Sequence, residues 1–172
     1  STARGAKFTS VDGYILSPDG TKILIQTNTN RIYRHSLTAT YYIYSIANNK
    51  LEPLSDEGAQ QTPLFSPDGT QIAFVRNNNI FLVKLLYNNS ESQVTTDGKM
   101  NEIINGIPDW VNEEEFTNDR SMVFTADSKM IVWVRYDESK VKTYSFPWYK
   151  GSNPEKDEYV LYPGEYTYKY PK

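Results

Sequence analysis

Short runs rich in β-branched and aromatic residues alternate along the chain with clusters of Asn, Asp, Gly and Pro. This punctuation predicts strands joined by tight turns. The pattern also repeats. Tyr14 to Gln26 matches Leu64 to Arg76, and Val123 to Arg135 is a weaker third copy. Each copy reads as a short strand, a turn and a longer strand. Pro18 and Pro67 preset φ for the turn, and Gly20 and Gly69 permit positive φ. The third copy carries Ala126 and Ser128 at these places, so a degenerate turn is expected there.

Two further strand-like runs follow each copy. They are Thr40 to Ile46 and Lys50 to Leu54, then Ile80 to Leu85 and Gln93 to Thr96, then Val141 to Trp148 and Glu158 to Tyr162. Four strands in a unit of roughly 50 residues are the signature of a β-propeller blade. The expected class is therefore all-β. It is a partial propeller of about three four-stranded antiparallel blades, near 12–56, 62–97 and 121–172. An insert at 98–120 carries a short helix near 109–118. Three blades do not close a ring, so open sheet faces and self-association of this piece are expected.

The repeat is uneven in two places. The spacing from Ser66 to Thr125 exceeds that from Ser17 to Ser66, and the surplus falls at about Asp97 to Ser121. A second surplus, Thr27 to Ala39, is expected as a long loop between the second and third strands of the first unit; it contains Arg31, Arg34 and His35. Long connections in compact domains are usually functional or disordered. Antiparallel strands alternate in direction, so the loop between strands two and three emerges on the same face as the link to the next unit. That logic puts the Arg34 loop and the acidic insert over one opening.

Composition narrows the chemistry. The 172 residues suffice for one ordinary core, and the formal net charge of −3 leaves no polybasic footprint for nucleic acid. With no Cys, disulfides, thiolate nucleophiles and Cys-ligated zinc are excluded, and one histidine, His35, rules out a multi-His metal site within the chain. No apolar run reaches the roughly 18–20 residues of a membrane-spanning helix. No Gly-x-Ser-x-Gly elbow is present, and His35 has no nucleophile motif to serve as a base for. The chain ends are expected to be those of a mature form or an excised piece.

The insert holds Asp109, then Trp110, then Glu113, Glu114 and Glu115, then Phe116. Asp109 suits a helix N-cap with the glutamates in the first turns. By residue type alone such a run is more often a solvated face, and Arg34 more often a structural ion partner. The alternative is a cation site. A peptide α-ammonium is mostly charged at neutral pH and offers three donors, of which two carboxylates can take two. Calcium is a minor reading, because no Asp-x-Asp-x-Asp-Gly loop is present. Asn88-Asn89-Ser90 fits a glycosylation sequon, relevant only in a eukaryotic secretory setting.

Asn105 to Phe116 resembles the double-glutamate segment of the dipeptidyl peptidase IV family, in its bacterial type. Tyr33 to Tyr44 resembles its arginine segment. Tyr136 to Ser139 and Tyr170 to Lys172 are similar in setting, and the likeness is collinear over nearly the whole chain. Asn112 stands where the family usually has an aromatic residue. The resemblance implies an N-terminal propeller covering a C-terminal α/β-hydrolase domain in a serine exopeptidase of the prolyl oligopeptidase group, which removes N-terminal X-Pro or X-Ala dipeptides. It implies that Glu114 and Glu115 bind the substrate's free N-terminus and that Arg34 binds a substrate carbonyl. A homodimeric parent in the periplasm or outside the cell, possible membrane anchorage of that parent, and no cofactor are implied too. This chain would then be about three blades of an eight-bladed ring, without the catalytic serine, aspartate or histidine and inactive alone. The competing readings are a non-catalytic peptide- or protein-binding propeller and a generic scaffold with a solvated acidic cluster.

Overall fold

A computed structural model of the chain describes residues 8–147 and 165–169. The first unit is one antiparallel sheet of β1 (Gly13–Leu16), β2 (Lys22–Arg31), β3 (Leu37–Ser45) and β4 (Lys50–Pro53), in that spatial order. The second unit repeats it with β5 (Gln61–Phe65), β6 (Gln71–Arg76), β7 (Asn79–Lys84) and β8 (Ser90–Gln93). The Ser-Pro-Asp-Gly turns join the first two strands of each sheet. In both, the Gly N–H donates to the Ser carbonyl at 2.9 Å, with Gly20 at φ 68° and Gly69 at φ 69°. The Asp carboxylate closes each turn by accepting from the Ser hydroxyl and from the following Thr. The side-chain hydrogen bond from Ser17 holds Asp19 well below the usual carboxylate range, and Ser66 does the same for Asp68.

β6 shows why the two units stack. Its residues alternate between faces. Ile72 and Phe74 enter one core with Leu24, Ala39, Tyr41, Ile43 and Leu54 of the first sheet. Ala73 and Val75 enter a second core with Ile80, Met122 and Phe124. A strand covered on both faces must be apolar throughout, and Ile72 to Val75 have no exposed surface. Between the sheets, Ala39 and Gln60 exchange backbone hydrogen bonds at 3.0 and 2.8 Å. The buried Gln60 side chain accepts from the Tyr41 N–H at 3.0 Å and donates to the Gly58 carbonyl. Burial, with the Asp119 charge in addition, pushes the Tyr41 phenol up to about 12.

Four expectations need correction. The surplus at Thr27 to Ala39 is mostly strand: β2 and β3 stay paired from Lys22–Ser45 to Arg31–Leu37, with a bulge between Thr27 and Asn30. Only 32–36 form the loop, so Arg34 and His35 sit at the tip of a long hairpin. The fourth strand of the second unit is Ser90–Gln93 rather than Gln93 to Thr96. A 3-10 turn at Leu85–Tyr87, followed by Asn88 and Asn89 at φ 55° and 52°, reverses the chain sooner.

The third correction is the turn at Thr125 to Ser128, which is not degenerate. Ser128 takes φ 61° and donates its N–H to Thr125 O at 2.9 Å, as the glycines do. Its hydroxyl accepts from the Asp68 N–H at 3.0 Å, tying this turn to the preceding one. The fourth is the third unit, which is not a four-stranded sheet among the described residues. After β9 (Ile103–Asn105) and α1 (Trp110–Phe116), β10 (Met122–Phe124) pairs with β11 (Ile131–Trp133). The chain then shifts partner at Val134, whose N–H goes to Ser121 and whose carbonyl accepts from Gly106. β12 (Arg135–Asp137) pairs back onto β9 of the insert. β13 (Thr143–Pro147) pairs with β14 (Glu165–Lys169). The strand expected at Glu158 to Tyr162 lies outside the described residues.

Candidate functional site

The insert is seated before its helix begins. Asn105, 1% exposed, donates to the Asn78 carbonyl and to Asp97, and accepts from the Trp133 indole at 3.2 Å. The Arg135 guanidinium reaches Asp97 at 2.7 Å, and its hydrogen bond is the main reason the Asp97 carboxyl is held below its ordinary range. Gly106 follows at φ 77°. A Cβ there would lie 2.9 Å from Ile80 and 3.2 Å from Val75, so only glycine lets the backbone rest on the second core.

Helix α1 then starts on Asp109, which accepts from the Asn112 N–H at 2.8 Å and from the Asn112 side-chain amide at 2.8 Å. The residue that departs from the aromatic of the resembling segment thus reinforces the cap. Thr117 at φ 54° ends the helix after seven residues. That length is too short to be stable alone, so tertiary contacts hold it.

The three glutamates diverge because successive helical residues turn by about 100°. Glu113 shares a face with Trp110 and is 3% exposed. Its Oε1 accepts from the backbone N–H groups of His35 at 2.9 Å and Ser36 at 2.7 Å. Hydrogen bonds to a buried charged group contribute about 1.5–3 kcal/mol each. Glu114 points along the hairpin tip and meets Arg34 Nη2 at 2.8 Å, with the Arg34 side chain 70% exposed. With its cation so exposed, the pair contributes only about 0–1 kcal/mol. Glu115 is exposed, and among the described residues it forms no ion pair.

The hairpin tip and the helix therefore meet at the Arg34–Glu114 pair and at Glu113, at the junction of the first sheet and the insert, with Glu115 the next, exposed residue of the helix. A cavity of about 260 Å³ lies behind, bounded by Tyr33, Ser36, Ile107, Trp110 and Glu113. His35 joins the arrangement through its backbone N–H. A larger cavity of about 630 Å³ surrounds Arg76 instead, where the guanidinium is already held by Ser55, Glu57 and Glu91. Sequence reading placed Glu113 in the acidic run but missed its separate contact. The signal was present, since Trp110 and Glu113 stand three apart and an aromatic at that spacing marks the buried face.

The Arg34–Glu114 pair thus lies where the long hairpin of an antiparallel sheet meets the helix of the insert. The sequence profile of the dipeptidyl peptidase IV (DPP IV) N-terminal region matches residues 17–172. The chain is 37% identical over 162 residues to the dipeptidyl peptidase 4 of Trichophyton equinum, covering 92% of this chain and 20% of that protein. It is 36% identical to a probable dipeptidyl peptidase 4 of Aspergillus fumigatus, over the same shares. The crystal structure of Porphyromonas gingivalis dipeptidyl peptidase 4 superposes with a TM-score of 0.87 at 45% identity, over 99% of this chain and 23% of that one. The chain belongs to the DPP IV N-terminal region family. It spans about a fifth of the length of the curated relatives it matches.

Proposed function

We propose that this chain is the substrate-anchoring part of a serine dipeptidyl peptidase that removes X-Pro or X-Ala dipeptides. Glu114 and Glu115 take the substrate's N-terminal ammonium, and Arg34 takes a substrate carbonyl oxygen. The observation that carries this reading is the meeting of Arg34 with Glu114 at 2.8 Å, next in the helix to Glu115, which is exposed and forms no ion pair among the described residues. A carboxylate offers about four lone-pair sites, so Glu114 can keep Arg34 and still accept an ammonium proton. The exposed ion pair is weak enough to rearrange around a ligand. With the ammonium fixed, the nucleophile cuts at a set distance, and the site counts residues from the N-terminus.

The two sheets are blades of a partial propeller in this reading, and the nucleophile belongs to an α/β-hydrolase domain elsewhere in a homodimeric protein of the periplasm or cell exterior. Tyr14 and Leu16 on β1 are 70% and 56% exposed, and Val132 and Val134 at the other end are 56% and 50%. Apolar residues clustered at both ends of a stack suit faces that neighbouring blades cover.

The test uses the intact protein and a Gly-Pro chromogenic amide, free or N-acetylated. The free amine is cleaved and the acetylated substrate is not. Glu114→Gln and Glu115→Gln each lower kcat/KM by about 10–100-fold, as loss of one charged hydrogen bond requires. Equal cleavage of both substrates, or unchanged kinetics in both variants, defeats the reading.

A further inference from the structure

Glu113 differs from its two neighbours in everything but residue type. It is buried, it faces the protein, and one carboxylate oxygen takes two consecutive backbone N–H groups. Those groups belong to His35 and Ser36, the residues directly after Arg34. Glu113 directly precedes Glu114. The carboxylate thus joins the two segments one residue away from the Arg34–Glu114 pair. The Arg34–Glu114 pair does this less firmly, because Arg34 is largely exposed and an ion pair open to solvent does not fix two backbones.

Building on the anchoring reading above, we propose that Glu113 is a positioning residue. It sets the spacing between Arg34 on the hairpin and Glu114 and Glu115 on the helix, and it touches no substrate itself. The hairpin of the first sheet and the helix of the insert contribute to one small ligand, so an error of about 1 Å between them exceeds what a binding constellation tolerates. A helix of seven residues and a five-residue tip carry little rigidity of their own. A side chain reaching across to two main-chain donors supplies it, and neither donor can be altered by changing a side chain.

Two variants separate geometry from charge. Glu113→Gln keeps an oxygen at the same reach and loses the charge. Glu113→Asp keeps the charge and falls short by one methylene. If Glu113 positions, the intact Glu113→Asp protein shows KM for the free-amine Gly-Pro amide raised about tenfold or more, with kcat within about twofold. This is the pattern of lost ground-state binding. Glu113→Gln raises KM less than about fivefold. Amide exchange at His35 and Ser36, read without substrate, is faster in Glu113→Asp than in Glu113→Gln. A KM unchanged in both variants, equal losses, or a larger loss in Glu113→Gln overturns the proposal, as does equal amide exchange. Glu114→Gln in the same assay separates the two ideas. If it leaves KM unchanged, the anchoring reading falls. If it binds poorly while Glu113→Asp binds normally, only the positioning role falls.

Discussion

Two arginines mark two joints of this chain, and they are held in opposite ways. Arg76 closes β6 at the boundary of the first and second sheets and is 8% exposed. Its guanidinium donates to Ser55 Oγ at 2.8 Å, to the Glu57 carbonyl at 2.7 Å and to Glu91 at 2.7 Å, and it lies 4.1 Å from the centre of the Phe81 ring. Phe81 in turn stacks on Phe74 at 5.6 Å. Arg34, at the hairpin tip, has one ion pair among the described residues and a side chain 70% exposed. A guanidinium with both terminal nitrogens hydrogen-bonded and an aromatic ring against its face cannot take a ligand without dismantling the joint. One whose own side chain is 70% exposed, and which a single carboxylate holds among the described residues, can. Strong electrostatics therefore marks structure in one place, and weak electrostatics marks availability in the other.

The contrast is broken most severely at Arg76. Arg76→Ala leaves Glu91, whose side chain is 25% exposed, facing the cavity without its cation, and removes the ring contact as well. Removing one partner of a buried pair costs about 3–5 kcal/mol. Because Glu57 is largely exposed and Glu91 retains some water, about 3 kcal/mol is the expected size. Native-state amide exchange in the intact protein should speed up by about a hundredfold at β4 and at the link to β5. Exchange at the Arg34 tip should change little, since no contact of Arg76 reaches it. An Arg76→Ala protein that loses protection at both joints would show that they open together.

A smaller effect sharpens the other side. Asp109→Ala removes the cap of the helix without touching either arginine. Loss of an N-cap costs about 0.5–2 kcal/mol, so exchange at the Asn112 and Glu113 amides should rise about fivefold. An unchanged rate would mean that the seating of Asn105 and Gly106, rather than the cap, holds the helix.

Much of this organisation could be read along the chain. The Ser-Pro-Asp-Gly turns mark the two complete sheets, and Asp109 marks the helix start. Strand direction alone puts the Arg34 tip and the acidic insert on one side. What escaped reading was set by distant partners. The switch of the chain at Val134 from β11 to β12 is dictated by Ser121 and Gly106 of the insert, and no local pattern announces it. Ser128 reads as a poor turn residue until Asp68 supplies its partner. Glu113 and Glu115 are the same residue two positions apart, and only the hairpin that lands on one of them makes them different.

The smallest structural effect belongs to Arg34, and it is the one that decides the comparison. Arg34→Gln removes an ion pair whose cation is 70% exposed, so the folding contribution should be no more than about 0.5 kcal/mol after solvent screening. Amide exchange at His35 and Ser36 should stay within about twofold of the parent, because Glu113 holds those groups independently. Any residual difference should vanish at about 0.5 M salt, where screening acts within a few ångströms. Binding of a free-amine dipeptidyl substrate should nonetheless fall by about tenfold, through KM. An Arg34 that contributed chiefly to stability would show the reverse, with faster exchange at the tip and unchanged KM. It would then be a second Arg76 in a more exposed setting, and the anchoring role would rest on the glutamates alone.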